Sequence, residues 1–102
     1  MDKARSVQAP GYLIRLPSYT GQFKRDVKLA DKRGKDISKL RTVIELLLAA
    51  EPLPRELRDH PLKGEWQPSR DLHIEPDWVL IYRVDGGTFR FERTGTHADL
   101  FG

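Results

Sequence analysis

The chain's patterning predicts an α+β fold: an N-terminal strand, an antiparallel helix hairpin, then a three-strand antiparallel meander in one sheet. Three observations carry that reading. Two stretches place apolar residues at helical spacing, each with a capping residue in front and a glycine or proline behind. Three later stretches alternate or run apolar between turn residues. No internal repeat or compositional break divides the 102 residues, so a single domain is expected.

Residues 1–11 carry no pattern and are expected to form a flexible tail ahead of a domain spanning 12–102. Gly11 to Leu16 is a strand candidate ended by Pro17. Thr20 is placed to cap a helix whose apolar positions Phe23, Val27 and Ala30 share one face, with Gly34 as its stop. Asp36 caps a second helix, in which Ile37, Leu40, Val43, Ile44, Leu47 and Leu48 recur on one side before Pro52. So short a connection requires the two helices to run antiparallel. The proline-rich and charged stretch from Pro52 to Ser69 offers Leu53, Leu57, Leu62 and Trp66 as anchors onto the core.

Asp71 to Glu75 alternates, with Leu72 and Ile74 on one face and Asp71, His73 and Glu75 on the other. Pro76-Asp77 makes a turn, Trp78 to Val84 reads as a central strand, Asp85-Gly86-Gly87 is a hairpin turn, and Thr88 to Glu92 returns. Strict alternation groups Arg93 with Phe89 and Phe91. It reaches a polar site only if the strand ends or bulges there, which Thr94-Gly95 permits.

Hydrophobic residues make up 38% and charged residues 32%, the balance of a globular protein. No apolar run approaches the ~20 residues that span a bilayer, and the start lacks a signal-peptide stretch, so no membrane role is expected. The absence of cysteine excludes disulfides and thiolate metal sites and suits a cytoplasmic protein. Net charge is +3, but through His60 there are 13 basic residues against 8 acidic ones. That surplus lies between Lys24 and Arg41, on Lys24, Arg25, Lys28, Lys32, Arg33, Lys35, Lys39 and Arg41. A charged helix surface is the plain explanation; a stripe for nucleic-acid phosphates is the functional one.

The chemistry-bearing residues are His60, His73, Asp77, Arg93 and His97, with Asp71, Arg83, Trp78 and Phe101 around them. Singly, each has a bland explanation as a loop, strand or turn residue. The three histidines show no metal-ligand spacing, and no nucleophile motif surrounds Ser69, so neither a metal nor a cofactor is expected. Jointly they meet the needs of metal-free RNA cleavage. A base must take the ribose 2′-hydroxyl proton, a cation must neutralise the phosphoryl oxygens, and an acid must protonate the leaving 5′-oxygen.

Asp59-His60-Pro61-Leu62, His73-Ile74-Glu75-Pro76-Asp77-Trp78 and Phe91-Glu92-Arg93-Thr94-Gly95-Thr96-His97, in this order, resemble the YafQ family of toxins in the RelE/ParE toxin–antitoxin superfamily. The resemblance runs from about Tyr19 to the end. It implies the RelE-like fold and an endoribonuclease that cuts mRNA on the 70S ribosome and is held in check by a cognate antitoxin. It implies active-site roles for His60, His73, Asp77, Arg93, His97 and Phe101. His97 would be the general acid, and Asp77 or His73 the base or orienting group. Arg93 would neutralise the phosphate, Phe101 with Trp78 would contact or position the base, and His60 would assist at the phosphate or tune its neighbours. Asp71 and Arg83 fall to the substrate-binding set, and the basic helices, from Lys24 to Lys39, to ribosomal RNA. Two departures stand out: a longer tail before Tyr12, and Pro68-Ser69, where an altered loop could shift codon preference.

Two other classes compete. ParE-like toxins share the fold but inhibit DNA gyrase and have no need of the His/Asp/Arg set. A basic RNA-binding module would depend on the lysine-rich helices and leave the histidines incidental.

Overall fold

The structure, a computed structural model, describes residues 15–102. The expected tail, and the strand candidate as far as residue 14, lie outside the described residues.

Strand β1 is Leu16–Tyr19, so Pro17 lies within the strand instead of ending it. The correction has a simple cause. β1 is an edge strand, and its parallel pairing to the last strand tolerates a residue without an N–H. Its backbone is tied at both ends, by Leu16 N–H to Gly87 O and Thr20 N–H to Phe91 O. Tyr19 then stacks on both Phe23 and Phe91.

Helix α1 (Gly21–Lys32) starts at Thr20, whose hydroxyl accepts from Phe23 N–H as expected. Such a cap contributes about 1 kcal/mol. Gly34 takes φ 85° just past the helix, a conformation that a side chain would strain. Helix α2 (Ile37–Leu48) starts at Asp36, which accepts from Ser38 N–H. Two 3-10 turns, Arg55–Leu57 and Gly64–Trp66, bracket β2 (His60–Pro61). Strands β3 (Arg70–Glu75), β4 (Trp78–Asp85) and β5 (Thr88–Gly95) form the expected antiparallel meander, and helix α3 (His97–Phe101) follows. The sheet order is β1-β5-β4-β3-β2. The single sheet therefore has five strands, two more than the meander, with β2 and β1 on its edges.

The two faces of the sheet differ. Leu72, Trp78, Leu80, Tyr82, Phe89 and Phe91 meet the apolar sides of α1 and α2 in the main core. On the other face Val79 and Ile81 are covered by Leu100 of α3, with Leu62 and Trp66 packed against them. Leu53 and Leu57 join the helix-side core, so the four expected anchors divide between the two faces. The thinly covered face is the one on which Asp71 and His73 emerge, because they alternate with Leu72.

Candidate active site

Three histidines meet on that open face. His60 on β2 and His73 on β3 have ring centres 6.4 Å apart, and the His73 and His97 rings lie 5.2 Å apart. Phe101 follows, 6.1 Å from His97, with its edge on Trp66 at 5.5 Å. β2 is what brings His60 in: its two residues pair with β3 so that His60 faces Asp71. Asp59 fixes this entry by accepting from Arg70 at 3.0 Å and from the Tyr82 hydroxyl.

His97 is held by Asp77. One carboxylate oxygen, Oδ1, accepts the His97 backbone N–H at 2.9 Å and lies 2.6 Å from ring Nδ1. The carboxylate can only accept, so Nδ1 carries the proton and Nε2 is the exchangeable nitrogen. Those two hydrogen bonds, the backbone one first, hold the Asp77 carboxyl below the usual carboxylate range. α3 itself depends on a capping box. The Thr96 hydroxyl accepts from Asp99 N–H, and the Asp99 carboxylate accepts from Thr96 N–H. Gly95 lets the cap close, since a Cβ there would stand 3.0 Å from Asp99 Oδ2 and 3.1 Å from its Cβ. The helix was not expected, although Thr96-His97-Ala98-Asp99 carries the capping-box spacing that signals it.

His60 has a different partner. Its Nδ1 lies 2.7 Å from the Arg58 carbonyl, which requires a proton on Nδ1. Its Nε2 stands 3.0 Å from Asp71 Oδ1, yet out of line, so that buried oxygen makes no hydrogen bond. Asp71 is 4% exposed. Burial pushes its carboxyl up, against the opposing pull of the three histidines. His73, between the two pairs, is pushed down by burial, with Asp71 opposing the shift, and is neutral over more of the physiological range.

Arg93 is reached by the bulge that alternation demanded. Tyr82 pairs with Phe91 but Ile81 pairs with Arg93, leaving Glu92 unpaired. The guanidinium then turns round the strand edge to Asp26 of α1, with Nε and Nη2 at 2.7 and 3.2 Å from its carboxylate. Asp26 also accepts from Thr94 N–H. Among the described residues Nη1 makes no such bond, so one side of the fork stays open. Asp26 is buried on the apolar side of its helix. Removing it would leave Arg93 and Thr94 N–H unpaired at a cost of about 2 kcal/mol. Sequence reasoning passed over it; an acidic residue between Phe23, Val27 and Ala30 on an inward face was the available signal.

Other expected site residues are placed differently. Trp78 is 1% exposed on the helix side and donates to the Thr94 hydroxyl, so it supports the site from beneath and offers no face to a base. Arg83 stands 3.7 Å from Glu92 in a groove that it shares with Trp66 and Arg93. Ser69 is buried and donates to Glu92, which ties it to the sheet. Arg33 is ion-paired to Asp99, and Lys35 and Lys39 to Glu75, whereas Lys24, Arg25, Lys28 and Lys32 are exposed without an ion pair among the described residues.

Comparison with known proteins matches residues 15–102 to the family described as bacterial toxin of type II toxin–antitoxin system, YafQ. The mRNA interferase toxin YafQ of Escherichia coli strain K12 is 55% identical over 85 residues, covering 82% of this chain and 92% of the relative. The putative toxin YafQ of Haemophilus influenzae is 40% identical over 88 residues, covering 79% of this chain and 86% of the relative. The E. coli DinJ–YafQ toxin–antitoxin complex contains a chain that superposes with a TM-score of 0.81 at 53% identity, covering 87% of this chain and 99% of that one.

Proposed function

This chain belongs to the YafQ family of bacterial type II toxin–antitoxin toxins, and from that premise we propose that it cuts mRNA on the ribosome by acid–base catalysis without a metal. It is an endoribonuclease of the mRNA interferase kind. Its partners are a cognate antitoxin, the 70S ribosome and mRNA, and its place of action is the cytoplasm. Among the described residues no helix is long and apolar enough to cross a membrane.

The observation that carries the mechanism is the doubly bonded Asp77–His97 pair beside a neutral-leaning His73. His73 takes the proton of the ribose 2′-hydroxyl, which attacks the adjacent phosphorus. His97 gives a proton from Nε2 to the departing 5′-oxygen. Asp77 orients that ring through Oδ1, and its lowered carboxyl makes it a weaker base than His73. His60 and Asp71 lie at the far side of His73 and tune it. Arg93 offers Nη1 to the phosphoryl oxygens, and Phe101, 42% exposed, offers a ring to an unstacked base. Exposed Lys24, Arg25, Lys28 and Lys32 contribute phosphate contacts with ribosomal RNA.

The test is to map the ends of a translated mRNA with and without ribosomes. Cuts seen only with ribosomes, ending in a 2′,3′-cyclic or 3′-phosphate, are expected. Arrest of gyrase with no mRNA cut would favour the ParE-like reading. Binding of RNA without cleavage would favour the basic module.

A further inference from the structure

The Asp77–His97 contact has a weakness. Its side chains are 65% and 47% exposed, and it joins residues 20 positions apart. One partner sits in the two-residue turn between β3 and β4, the other on a helix of five residues. Water competes for both groups, and each carrier is short.

Each carrier is braced from the helix pair by an acid two residues from the catalytic one. Glu75, two before Asp77, receives Lys35 and Lys39 on its separate oxygens, each at 2.9 Å. Asp99, two after His97, receives Arg33 at 2.7 Å. A register shift between His73 and Glu75 makes the first brace possible. Unbroken alternation would keep Glu75 on the histidine face; the shift turns it toward the helices while His73 stays where it is. Lys35 also stands over the Trp78 ring, 5.8 Å from its centre, on that helix side. The charges are strongly felt at both acids. Lys39, then Lys35, hold the Glu75 carboxyl below its usual range, and Arg33, then Thr96 N–H, bring Asp99 down to about 2.

We infer that Arg33, Lys35 and Lys39 are positioning residues for the general acid, bracing the Asp77 turn and the His97 helix against α1 and α2. The inference rests on His97 being the acid. The seven basic residues from Lys24 to Lys39 then fall into two groups with different roles. The four without an ion pair among the described residues meet RNA, and the paired three hold the site in shape.

Charge reversal separates the two roles. In K35E/K39E the brace is broken and negative charge is introduced; adding Glu75→Lys restores attraction with every sign inverted. Single-turnover cleavage at saturating programmed ribosomes is expected to fall about tenfold in K35E/K39E and to recover largely in K35E/K39E/E75K. Arg33→Ala should reproduce the loss without the added charge. Nitrogen NMR of the His97 ring gives a readout independent of cleavage. The hydrogen-bonded Nδ1–H signal should weaken in K35E/K39E and return in the triple variant. A triple variant that stays inactive, or a loss confined to ribosome affinity, would overturn the inference and make these lysines RNA contacts. If the unaltered protein cut no mRNA, the proposed function would fall, while the NMR signal would still decide the brace.

Discussion

Two histidine–aspartate pairs flank His73, and they are built in opposite ways. His97–Asp77 is exposed, and its carboxylate takes two N–H groups from its partner. His60–Asp71 sets a half-exposed ring against a carboxyl that is 5% exposed and carries an unbonded oxygen. The same residue types therefore titrate in opposite directions, Asp77 down and Asp71 up. Divergent carboxyl environments divide labour within a site. Asp77 is a permanent anion that fixes a tautomer, and Asp71 is a reluctant anion that keeps a proton in play.

The sharpest way to break this contrast is to delete each ring. His97→Ala is expected to lower ribosome-dependent cleavage by at least about a hundredfold while antitoxin binding persists, as loss of a general acid requires. His60→Ala should cost clearly less, and equal losses would erase the distinction. Next come the carboxyls. Asp77→Asn should cost about a hundredfold by offering His97 the wrong partner, with the binding of programmed ribosomes intact. Asp71→Asn should instead shift the pH profile of cleavage more than its maximum. Phe101→Ala is expected to cost about tenfold, read as weaker substrate capture. Deleting the last three residues is a blunter test, because Leu100 is buried against Val79 and Ile81 and its loss also weakens the fold.

The smallest effects are on stability, and their signs differ. Asp77 is lowered by folding, so its contribution is present above the unfolded carboxyl pKa and is lost as pH falls through the depressed one. Asp71 is raised by folding, so stability is lost as pH rises through its elevated value. Denaturation midpoints followed from acid to neutral pH should show the second slope vanish in Asp71→Asn and the first in Asp77→Asn. Parallel slopes in both variants would contradict the assignment.

Much of this was legible before any coordinates. Thr20 and Asp36 announced both helices because caps are local chemistry, and the meander followed from alternation and two turns. The histidine face was readable from Leu72 and Ile74 alternating with Asp71 and His73. What escaped was short or distant. β2 has two residues, too few for any period. Pro17 looked like a terminator because nothing local reveals that its strand lies on an edge. Trp78 was assigned to substrate on resemblance, and only the packing of the sheet places it under the helices. The bonds from Asp26 to Arg93 and from Arg33 to Asp99 span 67 and 66 positions, and no pattern in the sequence encodes such partners.

The parallel edge strand has a consequence for how the molecule comes together. β1 meets β5, and the Thr20 hydroxyl meets Glu92 O, across 72 positions of chain. The helix hairpin and the meander can each assemble from neighbouring residues, but this closure waits for both and dominates the contact order. The same closure delivers Asp26 to Arg93. A chain with its meander formed would already align His73, Asp77 and His97, yet would lack an oriented arginine. Any form of the chain that lacks this closure therefore lacks the Asp26 brace on Arg93.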